Sequence, residues 1–244
     1  MIIITPEHKL ADVVLRNYHL IPVINRFGIE LGFGEKTIAE ICMEYQIDAD
    51  FFSALLNTIS FESYNISEKK LKVVNTSQLI QYLKNTLENY TDSQISVIEI
   101  HIRQLLNSSP EKNPHLQLIE NFFIQFKEEF LQYVEDVNHD LFYSVITIHT
   151  QYICKKKKSS DDLTLPDFNA FQERYYPLSE KLSDMKSLLI KYLIGNFDRR
   201  VRNAIIYIIS RFETDMHDYM RLQHRLLGAM TKDMLTQIQQ ANEE

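Results

Sequence analysis

The chain has 244 residues, 45% of them hydrophobic and 24% charged, which is the profile of a soluble globular protein with ample material for a core. Only 5 Gly and 6 Pro, set beside 14 Phe, 13 Tyr and no Trp, leave few helix breakers and much aromatic bulk, so the expected fold class is all-α. A formal net charge of −7 argues against broad binding to nucleic acid or anionic membranes, and no apolar run approaches the roughly 20 residues that span a bilayer.

Residues 1–62 read as a small helical N-terminal domain. A helix is predicted over Leu10–Asn17 and another over His19–Phe27, where Pro22 suits the first turn and Gly28 the position just past the end. After the loop Ile29–Lys36, Thr37 with Glu40 forms a capping-box pattern for a helix to about Tyr45, and Asp48 or Asp50 caps the next, through Phe51–Ser60. A helix–turn–helix of this length could read DNA, so residues 37–60 are a candidate. No Lys or Arg occurs in Ala39–Glu62 to grip phosphates, however, and this reading ranks last. Cys42 falls among apolar neighbours and reads as a small core filler. Cys154 is far from it, with no CxxC. Met1–Pro6 lacks a basic start and is followed by charge, so no signal peptide is expected; reduced thiols in the cytoplasm follow.

Residues 63–75 are a polar connector, and 76–244 read as a four-helix bundle with helices near 79–106, 115–150, 168–193 and 198–235. Thr76 or Ser77 is expected to cap the first, with a break near Thr91–Asp92. In the second, Ile119, Phe122, Phe123, Phe126, Phe130, Tyr133, Val137, Leu141 and Val145 make one apolar stripe at three- and four-residue steps. Lys155–Lys158 then sits in a Ser/Asp-containing loop and reads as a solvated linker. Pro177 should kink or restart the third helix. The fourth carries a second stripe through Val201, Ile205, Ile208, Phe212, Met216, Tyr219, Leu222 and Leu226. Stripes this wide also leave a homodimer open.

The order of elements resembles the Repair of Iron Centers (ScdA/YtfE-like) family, a small N-terminal domain followed by a hemerythrin-like four-helix bundle. The run Leu10–Asp48, with Asn25–Arg26–Phe27–Gly28–Ile29 and Lys36–Thr37–Ile38–Ala39–Glu40, is similar to that family's helix–loop–helix pattern. The family places cysteines in the intervening loop; here the loop is Leu31–Gly32–Phe33–Gly34–Glu35. Phe130–Phe142 and Arg211–Leu227 look like two of its ligand helices. The resemblance implies a nitrosative-stress or iron–sulfur repair setting, and a non-haem di-iron centre held by His and Glu from four helices.

At the matching positions the ligands are replaced. One His-x-x-x-Glu pair becomes Tyr133 and Val137, the other Tyr219 and Gln223, and the inward His of the third helix falls at about Tyr175. These five are expected to pack as core, their hydroxyls and the Gln223 amide bonding to one another, or to line an internal pocket for a small ligand. No cofactor and no catalytic residue are predicted, and GxSxG, P-loop, GxGxxG and HExxH motifs do not occur. The alternative is a relocated di-iron site at Glu135, His139, Glu213 and His217. Yet His139 and His217 each lie two residues, about 200° around a helix, from the stripe positions Val137 and Tyr219. Outward-facing ion pairs are the simpler account. The expected function is a non-catalytic interaction or regulatory protein, its partner undefined.

Overall fold

A computed structural model describes residues 3–64, 75–109, 113–154 and 163–243. The Lys155–Lys158 run and most of the 63–75 connector lie outside the described residues. The fold is all-α: no strand occurs among the described residues, and the one extended pairing is an isolated antiparallel bridge between Lys9 and Thr37. Nor is any described helix long and apolar enough to cross a membrane. Contacts divide the chain into two compact units, one made of 1–86, 141–168 and 218–244, the other of 87–140 and 169–217.

In the first unit, α1 (Leu10–Arg16) and α2 (Leu20–Arg26) bury Leu10, Val13, Val14, Leu20, Val23 and Ile24. Gly28 takes φ 75° just beyond α2, where an L side chain would be strained, and its N–H donates to the Asn25 carbonyl at 2.9 Å. α3 (Ile38–Glu44) opens on the expected box: Glu40 N–H donates to Thr37 Oγ1 at 3.2 Å, and Thr37 N–H to Glu40 Oε2 at 2.7 Å. α4 (Ala49–Ser60) is capped by Asp48, whose Oδ1 accepts from Phe51 N–H at 2.7 Å. Every residue from Phe51 to Ile59 is buried, so α4 is enclosed on all sides. Of its buried polar side chains, Thr58 donates back to the Ala54 carbonyl at 2.8 Å, while the Ser53 hydroxyl has no hydrogen-bond partner among the described residues. Asn57 pairs through both amide atoms with the backbone of Ile4, at 2.8 and 2.7 Å, and so pins the N-terminal segment to α4. The end of α4 is held by Arg221, which donates to the carbonyls of Thr58 and Ile59 at 3.2 and 3.1 Å, and by Arg225, which donates to that of Glu62.

Three long helical stretches each contain a π turn. α5 (Thr76–Asn89) passes through a π turn at Tyr90–Gln94 into α6 (Ile95–Asn107), so the expected break at Thr91–Asp92 is a wide turn in a continuous helix. The cap is neither Thr76 nor Ser77 but Asn75, whose Oδ1 accepts from Gln78 N–H at 3.1 Å. α7 (Pro114–Asp136) runs through Val137–Phe142 into α8 (Tyr143–Cys154), and α10 (Arg199–Arg221) through Leu222–Leu227 into α11 (Gly228–Glu243). In the second unit, Tyr90, Phe126, Phe130 and Phe212 form an aromatic cluster with centroids 5.2–6.2 Å apart. Lys127 reaches Glu99 at 2.6 Å, and this hydrogen bond holds the Glu99 carboxyl below its ordinary range.

The remaining long helix, α9 (Phe168–Lys191), has no π turn and runs through Pro177 without restarting. Pro177 and Glu173 are both exposed, so the carbonyl that the proline leaves without a donor can be met by water. Pro177→Ala therefore restores a helix bond without disturbing the core. It should raise stability by about 1–3 kcal/mol in a denaturant titration, with an unchanged m value.

Candidate functional site

The positions that the resemblance assigns to metal ligands are interior. Tyr133 is 4% exposed, Val137 0%, Tyr175 2%, Tyr219 3% and Gln223 0%. Tyr133, Val137 and Tyr175 belong to the second unit, Tyr219 and Gln223 to the first. Two of the five fall in π turns, Val137 at the start of one and Gln223 inside another. A π turn widens the helix locally and changes which side chains lie one above the other, so an i, i+4 projection through these points is not that of a regular helix. Within the second unit, the Tyr175 ring meets His217 edge-on at 5.5 Å.

Gln223 departs from expectation. Neither its Oε1 nor its Nε2 has a hydrogen-bond partner among the described residues, although the side chain is fully enclosed, so the expected bonds from this amide to tyrosine hydroxyls do not form. Its neighbours Leu222, Leu226 and Leu227 are also buried, and Thr231 bonds back to the Leu227 carbonyl at 2.7 Å.

The four residues of the alternative metal site all lie in the second unit. Glu135, His139 and His217 are exposed. Glu213 is paired with Lys186, and His217 Nε2 lies 3.5 Å from Ser179 Oγ. The expected Glu213–His217 surface pair thus gives way to a contact between α9 and α10, while Asp136 next to Glu135 pairs with Arg174 at 3.0 Å. No group of three or more His, Cys, Asp or Glu residues that could hold a metal ion occurs among the described residues.

Thiol chemistry has little to work with. Cys42 is buried on the inner face of α3 as a core filler, and burial, with the nearby Asp48 carboxylate adding to it, pushes the thiol up to about 12. The only other thiol, Cys154, is exposed at the end of α8.

A feature with no signal in the sequence lies in the first unit. The N-terminal segment, α1 and the end of α4 enclose a pocket of about 390 Å³ with both apolar and polar walls. Its residues come from positions 4–17 and 60–61, which no local motif connects.

No protein-family model matches the chain, and no curated protein matches it.

The Gln223 amide gives a direct test of how this interior is held. Gln223→Met keeps the volume and removes two buried polar atoms that have no hydrogen-bond partner among the described residues. The variant should be more stable by about 1–3 kcal/mol. A loss of stability in thermal or denaturant unfolding would mean that the amide is bonded in solution to something the substitution discards.

Proposed function

We propose that this chain is a hemerythrin-like helical protein, of the kind the Repair of Iron Centers resemblance implies, in which the di-iron ligands have been replaced and which acts by interaction or regulation, not catalysis. The small domain over 1–62, the connector and the bundle over 76–244 are the parts of that reading. Its setting is the cytoplasm with both thiols reduced, and its partner is a protein, a second copy of the chain included.

The observation that carries the proposal is the chemistry of the buried positions. Divalent iron in such a site takes imidazole and carboxylate ligands on inward faces of facing helices. Tyr133, Val137, Tyr175, Tyr219 and Gln223 supply three phenols, an isopropyl group and a neutral amide, each in a position closed to water. The four residues of the alternative site, Glu135, His139, Glu213 and His217, are exposed or already paired. Val137 fills its place without a polar side-chain atom and is fully buried, so a carboxylate there would be taken out of water.

Restoring ligand chemistry on one helix therefore carries a cost. The double substitution Tyr133→His with Val137→Glu should lower stability by at least about 3 kcal/mol and gain no tight iron binding, read by chemical denaturation and by metal titration. A double variant as stable as the parent that binds iron stoichiometrically would refute the proposal.

A further inference from the structure

We propose that the pocket formed by the N-terminal segment, α1 and the end of α4 binds a small monocarboxylate with a compact apolar body. The inference rests on this pocket alone and is independent of the reading of the long helices. At about 390 Å³ the pocket falls at the small end of the roughly 300–1,000 Å³ typical of ligand sites.

Its apolar wall is Ile4, Val13 and Phe61. Its polar residues are His8, Arg16, Asn17 and Ser60, with no carboxylate among the described lining residues. Within that polar set the acceptors are already used and the donors are left over. His8 Nδ1 accepts from Thr5 N–H at 3.1 Å and lies 2.9 Å from Thr5 Oγ1, which places the hydrogen of the neutral ring on Nε2. Asn17 Oδ1 accepts from His19 N–H at 3.1 Å, and its Nδ2 donates to Ser60 Oγ at 3.4 Å, leaving the Ser60 hydroxyl hydrogen to donate elsewhere. Arg16 makes no ion pair or hydrogen bond with any described residue. The lining residues therefore offer one guanidinium, one imidazole N–H and one hydroxyl, a set that suits a ligand that accepts. A carboxylate accepts only, and a single formal positive charge matches a single negative one.

The walls are fixed in advance. Ile4 is clamped by Asn57, the His8 carbonyl accepts from Ile38 N–H at 2.9 Å, and the last carbonyls of α4 are tied by Arg221. Little ordering is left for a ligand to impose. The apolar wall adds affinity for each methylene it covers, so a medium-chain acid should be preferred over acetate.

The test uses the full chain, with hexanoate, hexanamide and acetate as probes and two-dimensional amide NMR as the readout. Hexanoate should produce saturable shifts centred on Val13, Asn17, Ser60 and Phe61. Hexanamide and acetate should each bind roughly tenfold or more weakly, the first for want of the charge and the second for want of the apolar body. Arg16→Gln removes no ion pair or side-chain hydrogen bond to a described residue, and it should abolish the preference for acid over amide while the spectrum stays that of the folded protein. The proposal is overturned if hexanoate gives no saturable shifts at these residues, if hexanamide binds equally well, or if Arg16→Gln keeps the preference.

Discussion

The long helices must keep one face buried over many turns, and a regular α-helix does not do this for their sequences. Apolar residues repeated in steps of four over-rotate an α-helix by about 40° at each step, so such a stripe winds off the inward face. The π turns take that rotation back. Between Tyr90 and Ile95 the buried series makes a step of five, and Leu83, Leu87, Tyr90, Ile95, Ile98 and Ile102 all remain interior. At Val137–Phe142 the same device keeps Phe130, Tyr133, Val137, Leu141 and Val145 inward and adds Phe142. At Leu222–Leu227 it places Leu222, Gln223, Leu226 and Leu227 together inside. α9 solves a different problem, tolerating Pro177 by turning it to solvent.

This phase correction bears directly on function, because it decides what Val137 and Gln223 can be. Two π turns coincide with positions where the resemblance calls for a metal ligand, and the interior there is filled by a branched alkyl side chain and by an amide with no hydrogen-bond partner among the described residues. Such turns occur often at functional sites in proteins. In the proposed reading, the helix geometry is kept while the groups that would use it are gone, so the protein's work shifts to what its surfaces and its N-terminal pocket can recognise.

Much of the N-terminal architecture was legible because it is written in local chemistry. Thr37 with Glu40, Asp48 ahead of Phe51, and Gly28 after α2 each announce themselves by residue type and spacing, and each is found where expected. Most of the two inward stripes was legible for the same reason, but Phe122 and Val201 are only half-buried, and on the last helix Ile209, not Ile208, is the fully buried residue. The wide turns were not, since no residue type signals a π turn; the one hint, a five-residue step after Tyr90, reads equally well as a break. Asn75 was missed as a cap because Thr76 and Ser77 are equally competent side chains. The pocket and the Arg221 clamp depend on residues distant in sequence, and an arginine on an amphipathic helix looks like surface charge until the carbonyls of Thr58 and Ile59 are seen beside it. The unbonded Gln223 amide was hidden too, because which side chains surround a buried position is a tertiary fact.

In the proposed reading, the interior of the long helices carries no metal. Elemental analysis of protein purified without an affinity tag, taken together with its visible spectrum, tests this most directly. The expected result is a colourless protein without stoichiometric iron. Near-stoichiometric iron with the absorption of an oxo- or hydroxo-bridged pair would contradict it.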